Sequence, residues 1–294
     1  MRLTSATAIS GPLNSGEKRV TQFRIAQISD THLSRDKNQF VGNFEVAAER
    51  IAAQKPDLVV HSGDIAVEAT QRPDDLAYAH GLMAGLAAPY RAIAGNHDIG
   101  DNPGDGGYMP KKPVNDALIA GYETLFGPSQ WQIDAAGWCI IGLNAELFLS
   151  GLAGELAQER WLDETLSQSG GKPVAIFCHK PLFLAEIEEP VDVPYRYIPL
   201  APRRKLAETM ARADVRLFAC GHVHQSRDHV VDGIRHVWGP ATAFTLPDAV
   251  QPRVGTKRCG MVDYVFTPDG VTVETVFPDA MVQHDYDAVR AAYA

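Results

Sequence analysis

The feature that most constrains this chain is a set of short polar segments, each of which directly follows an apolar run. The segments are Asp30-Thr31-His32, Gly63-Asp64, Gly95-Asn96-His97-Asp98, His179 and Gly221-His222-Val223-His224. Short apolar runs bounded by polar or turn residues are typical of buried strands. Polar side chains at the carboxyl ends of strands in one sheet lie along the same edge. We therefore expect residues that are far apart in the sequence to meet at one site.

The apolar runs alternate with helical patterns over most of the chain, which predicts βαβ units. Strands are predicted over residues 23–29, 57–62, 90–94, 139–143, 174–178 and 215–220, and helices over 44–54, 73–86, 114–126, 155–167 and 202–213. After residue 225, the dipeptides Asp232-Gly233 and Asp269-Gly270 predict two β-hairpins. Because no linker separates the two regions, two stacked sheets flanked by helices are favoured over a separate small domain.

Composition bounds the organisation of the chain. At 294 residues, with 45% hydrophobic and 21% charged residues, the chain can fold as one large domain. We expect a flexible arm over 1–20, a single domain over 21–278 and a tail over 279–294. The four cysteines show no C-x-x-C spacing, which favours buried thiols in a reducing, cytoplasmic compartment. No stretch approaches the ~18 apolar residues that a membrane span needs, so no membrane partner is expected.

The net charge of -9 and the pI near 5.5 oppose long-range attraction to a phosphate backbone. Nucleic acid is therefore not expected as a partner. A small anionic substrate is still allowed, because a bound metal cation can dominate the local field within an acidic protein.

The donor atoms of the polar segments suit a metal site. In an extended chain, the Asp-x-His spacing places a carboxylate and an imidazole on the same side. Each segment alone is equally typical of a plain turn, so the argument depends on their coincidence. Together they supply a mixed oxygen and nitrogen donor set, which favours Mn or Fe, with Zn as an alternative, over thiolate-loving ions.

The pattern D-x-H, GD, GNHD, H, GHVH, from Phe23 to about Gly239, resembles the calcineurin-like metallophosphoesterase superfamily. Within it, the chain is most similar to class III cyclic-nucleotide phosphodiesterases and bacterial glycerophosphodiesterases. The resemblance implies an α/β fold, a four-layer αββα sandwich of two mixed sheets, and a metal-dependent phosphoric ester hydrolase. The chain departs from the frequent His-x-Pro-Pro form at His179-Lys180-Pro181-Leu182, which puts only the shape of the adjoining loop in doubt.

The resemblance also implies roles for individual residues. Asp30, His32 and His224 would bind a first metal ion. Asn96, His179 and His222 would bind a second, and Asp64 would bridge the two. His97 would contact the phosphate and protonate the leaving oxygen, with Asp98 orienting it.

The favoured substrate is a small phosphodiester, with a cyclic nucleotide first, hydrolysed by in-line attack of a hydroxide that bridges the two ions. The open alternatives are a glycerophosphodiesterase, a phosphomonoesterase and an inactive protein-binding scaffold. Asn96 and His97 are candidate substrate contacts. Tyr195 and Arg196 could add a ring face and a guanidinium from the loop over 185–204, or could face solvent. The helical pattern at the C-terminus leaves a homodimer open.

Overall fold

The computed structural model of the protein describes residues 21–103, 112–190, 196–284, 287, 289 and 290. The predicted N-terminal arm over 1–20 lies outside the described residues. In the described part of the chain, no helix is both long and apolar enough to cross a membrane.

Strands and helices alternate as the sequence predicts. The strands are β1 (Phe23–Ile28), β2 (Leu58–His61), β3 (Tyr90–Ala92), β4 (Trp131–Ala135), β5 (Trp138–Leu143), β6 (Val174–Cys178), β7 (Val215–Cys220), β8 (Arg227–Val231), β9 (Ile234–Trp238), β10 (Met261–Thr267) and β11 (Gly270–Val276). The helices are α1 (Val41–Gln54), α2 (Pro73–Met83), α3 (Asn96–Ile99), α4 (Asp116–Phe126), α5 (Ala153–Ser167) and α6 (Leu200–Met210). Short 3-10 turns lie at Asn38–Phe40 and Ala145–Leu147.

The strands form two mixed sheets. The first has the order β11-β10-β1-β2-β3, with β1, β2 and β3 parallel, β10 antiparallel to β1, and β11 antiparallel to β10. The second has the order β4-β5-β6-β7-β9-β8, in which β5, β6, β7 and β9 run parallel. In each sheet the parallel strands are neighbours, so their carboxyl ends share an edge.

Alternating side chains along the strands divide the core into layers, because successive residues of a strand face opposite sides of its sheet. On β6, Ala175 and Phe177 pack between the two sheets, whereas Val174 and Ile176 pack against α5 and α6. The first sheet has the same alternation and packs its outer face against α1, α2 and α4. The result is the predicted four-layer αββα sandwich.

The structure refines the predicted elements in two places. The hairpin of β4 and β5 was not predicted, because its Ala136-Gly137 turn has positive φ at both residues, 49° and 82°, and alanine gives no turn signal. The second predicted hairpin is present, but its turn lies at Pro268-Asp269, one residue earlier, because Gly270 pairs with Thr267.

The last described residues pack against the body of the fold. Asn43 of α1 donates its side-chain amide to the carbonyl of Val282 and accepts the Val282 N–H. Val289 is buried beside Phe40 and Phe244. All four cysteines are buried and free, as predicted.

Candidate metal centre

The predicted ligand residues come together where strands of both sheets end. Asp30 and His32 follow β1, Asp64 follows β2, Asn96 begins the short helix after β3, His179 follows β6, and His222 and His224 follow β7. All of them are buried except His222, which is partly buried. The two edges therefore face one another across a single cleft, although the segments are up to about 190 residues apart.

Several of these residues have an unusual backbone conformation. Asp30, His32, Asp64, His222 and His224 all have positive φ, between 44° and 68°. For residues other than glycine, this left-handed region costs about 1–3 kcal/mol each and persists only where the surrounding structure imposes it. Such strain clusters at functional sites, because it turns side chains in directions that a regular strand does not allow.

A first donor group consists of Asp30, His32 and His224. The Nε2 atom of His224 lies 3.3 Å from Asp30 Oδ1 and 3.3 Å from His32 Nε2. One donor atom from each residue lies within 4.8 Å of the others, close enough to hold one ion.

A second donor group consists of Asp64, Asn96, His179 and His222. The Nε2 atom of His179 lies 3.3 Å from Asp64 Oδ2, 3.3 Å from Asn96 Oδ1 and 3.1 Å from His222 Nδ1. Asp64 also belongs to a cluster with His32 and His97, so its carboxylate lies between the two donor groups. This is the position that a bridging ligand requires.

The hydrogen bonds of two histidines fix which ring nitrogen faces the cleft. His179 Nδ1 lies 2.8 Å from the carbonyl oxygen of Ser62, and His224 Nδ1 lies 2.8 Å from that of Phe244. A carbonyl oxygen only accepts, so each Nδ1 carries a hydrogen and each Nε2 is the nitrogen that faces its donor group. Metal-binding histidines commonly make this outer hydrogen bond.

One carboxylate oxygen of Asp30 faces the first donor group without a hydrogen bond from the described part of the chain. Asp30 accepts through Oδ2 from Ser29 Oγ and from the His222 N–H, at 2.5 Å and 3.0 Å. Its other oxygen, Oδ1, is buried with no hydrogen-bond partner among the described residues. A buried carboxylate oxygen that lacks a donor is costly, and a cation satisfies it. The residues present therefore fit a metal ion.

The electrostatics of the cleft also favour a cation. Burial alone raises the pKa of the Asp30 and Asp64 carboxyls, but the imidazoles of His224 and His179 outweigh it and hold both pKa values below the usual range. Burial lowers the pKa of His179, yet Asp64 overcomes this and raises it to about 10. The shared cause is the attraction between carboxylate and imidazole, which keeps the carboxylates ionised and so favours a cation at this position.

His32 and His222 are shifted in the opposite direction. Burial lowers the pKa of His32 well below its usual value, and burial together with His179 lowers the pKa of His222 to about 3. Both imidazoles are therefore neutral at pH 7, the state in which an imidazole nitrogen can bind a metal.

Two glycines allow the ligands to approach the backbone closely. A Cβ atom on Gly95 would lie 2.2 Å from Asp64 Oδ1 and 2.8 Å from His179 Nε2. A Cβ atom on Gly221 would lie 2.6 Å from Asp30 Oδ2. The glycines of the polar segments thus provide the space in which the carboxylates sit.

His97 lies beside the donor groups. Its backbone N–H donates to Asp64 Oδ1 at 2.9 Å, and its Nδ1 lies 2.8 Å from the carbonyl oxygen of Val67. Its ring centroid is 5.0 Å from that of His32. The side chain is 14% exposed, so it can meet a substrate that enters the cleft.

Asp98 positions backbone in this structure. Its carboxylate accepts from the N–H groups of Ile65, Ala66 and Gly95 at 2.9–3.0 Å. Burial and the Asp64 carboxylate raise the pKa of Asp98 to about 7, against these three donors. Asp98 thus connects the segments that carry Asp64 and Asn96, a role that the sequence did not predict. Its predicted action on the His97 ring stays a prediction.

The four residues predicted to contact the substrate lie in different places. Asn96 and His97 lie at the donor groups. Arg196 lines a cavity of about 310 Å³ whose walls include Tyr197 and Val223, and Val223 separates the ligands His222 and His224 in the chain. Tyr195 lies outside the described residues.

Phe244 is a site residue that the sequence analysis missed. Its ring centroid lies 4.5 Å from that of His224 and 5.1 Å from that of His32. The neighbouring amides of Thr242 and Ala243 donate to the carbonyls of Ser29 and Asp30. These residues follow β9 at the same sheet edge. Their position after a strand is the feature from which the sequence could have predicted Phe244 as a site residue.

The fold and the donor groups together define the class of protein, a metallophosphoesterase. Residues 23–226 match the family described as Calcineurin-like phosphoesterase, and the chain belongs to that family. The resemblance predicted from the polar segments is therefore confirmed.

Three relatives agree with this membership. Serine/threonine-protein phosphatase CPPED1 from Homo sapiens is 28% identical over 58% of this chain and 54% of its own length. The 3′,5′-cyclic adenosine monophosphate phosphodiesterase CpdA from Escherichia coli is 28% identical over 78% of each chain. Glycerophosphodiester phosphodiesterase GpdQ from Enterobacter lignolyticus is 27% identical over 53% of this chain and 56% of its own length.

The match thus spans about half the length of the human relative. A dimetal phosphatase from Danio rerio has the same fold, with a TM-score of 0.61 and 13% identity over 86% of this chain and 95% of that chain.

Proposed function

We propose that this chain hydrolyses small phosphodiesters, cyclic nucleotides in particular, at a centre of two metal ions. The observation that carries the proposal is the pair of donor groups with Asp64 between them. In such a centre, two ions about 3.5–4 Å apart activate water and neutralise the phosphate oxygens. Mn and Fe are the favoured metals, with Zn as the alternative, because the donors are oxygen and imidazole nitrogen.

The protein's own residues would complete the reaction. Asp30, His32 and His224 would hold one ion, and Asn96, His179 and His222 would hold the other. His97 would bind a phosphate oxygen and protonate the departing alkoxide, since its ring lies beside the donor groups and is partly exposed.

The cavity beside the centre supports an organic group larger than glycerol. Its volume of about 310 Å³ lies at the lower end of the range for small-molecule sites. Leu184, Val223 and Val254 supply apolar walls, and Arg196 and Tyr197 supply a guanidinium and a ring. A nucleobase offers matching chemistry, with apolar faces for stacking and polar edges.

Two enzyme alternatives have specific support from the relatives. One relative is named as a protein phosphatase and another as a glycerophosphodiesterase. Phosphomonoesterase and glycerophosphodiesterase activities therefore remain the second candidates. An inactive scaffold is disfavoured, because every predicted ligand position holds a metal-binding side chain. The cytoplasmic location and the homodimer stay predictions.

A rate comparison with Mn²⁺-loaded protein tests the proposal. The substrates are 3′,5′- and 2′,3′-cyclic nucleotides, a glycerophosphodiester and a phosphomonoester. We expect the highest kcat/KM for a cyclic nucleotide. Arg196→Ala should raise KM for the cyclic nucleotide, whereas the control Arg204→Ala, at an exposed ion pair with Glu188, should not. A higher kcat/KM for either other substrate would favour that alternative, and hydrolysis of none would favour the scaffold.

A further inference from the structure

A buried lysine lies directly behind the second donor group. Lys180 follows His179 in the chain, and its side chain is 0% exposed. Its Nζ atom lies 2.5 Å from Asp101 Oδ1, 2.6 Å from Asn102 Oδ1 and 3.0 Å from Glu146 Oε2. The ammonium group thus donates to Asp101 and Asn102, and Glu146 Oε2 lies within ion-pair distance.

The partners of Lys180 come from different segments. Asp101 and Asn102 follow α3, the short helix that begins with Asn96, and Glu146 lies in the 3-10 turn after β5. The Asn102 side-chain amide donates to the carbonyls of Ala145 and Phe148, both at 2.9 Å. The cluster therefore ties together the segments that follow β3, β5 and β6.

The charges within the cluster are balanced. Lys180, Asp101 and Glu146 are all fully buried, with one cation facing two carboxyl groups. Burial raises the pKa of Glu146 to about 8, which leaves it neutral at pH 7. The Lys180–Asp101 pair then carries matched charges, and a buried pair of this kind is costly to break because the remaining partner is left unpaired.

The same pair joins two ligands of one donor group. Lys180 is adjacent to His179, and Asp101 lies five residues after Asn96, across a helix of four residues. In front of the pair, His179 Nε2 and Asn96 Oδ1 are 3.3 Å apart. A shift of either segment would change that separation. Ligands of the first donor group lie on other segments.

We propose that Lys180 is a positioning residue for the second metal site, because it fixes the segment that carries Asn96 relative to His179. The inference rests on the proposed two-metal centre. It does not depend on the substrate.

The test is stepwise Mn²⁺ binding to the full-length protein, measured by calorimetric titration for wild type and Lys180→Met. Methionine keeps the length of the side chain and removes the charge. Loss of a residue that orients metal ligands commonly weakens metal binding by about 10–100-fold. We expect that loss for one of the two ions, with the affinity for the other unchanged.

One further variant serves as a control and another as a second test. Lys172→Met removes an exposed lysine that pairs with Asp134 at 2.7 Å, and it should change neither affinity. Lys180→Met combined with Asp101→Asn leaves no unpaired charge, so it decides the question if the single variant does not fold. This double variant should still bind one ion about 10–100-fold more weakly than wild type, and wild-type affinity for both ions would overturn the proposal.

Unchanged binding of both ions in Lys180→Met would overturn the proposal. An equal loss at both sites together with a lower Tm would also overturn it, since that result indicates a purely structural role. Wild-type protein that binds two ions but hydrolyses no ester would count against the proposed function alone, because the binding comparison would still test Lys180.

Discussion

Asn96 is the proposed ligand of the second donor group that can be removed with the least change in charge. Its Oδ1 lies 3.3 Å from His179 Nε2, inside the buried cleft. We predict that Asn96→Ala weakens the binding of one metal ion and lowers kcat/KM by about 100-fold or more, because water activation needs both ions. Asn115→Ala is the matched control, since Asn115 is exposed and caps α4 through the Leu118 N–H. Unchanged metal content and turnover would remove Asn96 from the centre.

His97 makes a prediction that depends on the leaving group. If His97 protonates the departing oxygen, His97→Gln should lower kcat by about 10²–10⁴-fold for an alkyl ester. The loss should be much smaller for a 4-nitrophenyl ester, because that leaving group needs no proton. His80→Gln, which alters a ring packed against Phe126 outside the site, is the control. Equal losses for both esters would instead assign His97 to phosphate binding alone.

At the scale of elements, the turn between β3 and α3 sets the space for the centre. In Gly95→Ala, the new Cβ would meet the Asp64 backbone nitrogen at 2.3 Å and the His179 ring at 2.8 Å. We predict at least about a tenfold loss of metal affinity, since both are positioned against this turn. Gly121→Ala has open space on α4, so it should keep metal binding and not lower stability. Normal metal binding by Gly95→Ala would show that the turn can relax.

The 3-10 turn after β5 makes a prediction about stability and pH. Burial raises the pKa of Glu146 to about 8 from its ordinary 4.5, so the folded protein binds a proton that the unfolded chain releases in this range. The free energy of unfolding should therefore fall as the pH rises from about 4.5 to 8. Urea unfolding of Glu146→Gln should show a shallower fall than wild type across this window. Identical slopes would mean that Glu146 is ionised in the folded state.

The helices and strands that carry the site could be predicted from the sequence. The contacts between distant segments could not. Asp30 and His224 were predictable together because each follows a central strand, and strand ends meet at one edge. The network of Lys180 with Asp101 and Glu146 was not, since no local pattern shows which loops pack together. Asp98 had a predicted role at the His97 ring, and its contacts with three backbone amides appear only in the folded chain.

At the scale of the whole molecule, a net charge of -9 coexists with a site proposed for anionic substrates. The two sheets place imidazoles and carboxylates together at their shared edge, and this donor set would hold cations. Two bound cations would reverse the sign of the local potential without changing the acidic surface. Selection of the substrate then depends on the loops beyond the edge, which the ligand pattern does not determine.

The central claim is that one cleft holds two metal ions joined by Asp64. Metal content per chain, measured by mass spectrometry after Mn²⁺ loading and removal of free ions, tests it most directly when hydrolysis of a phosphodiester is followed in the same samples. Wild type should hold two ions and hydrolyse the ester, and Asp64→Asn should lose at least one ion and most of the activity. Two ions and full activity in Asp64→Asn would contradict the account.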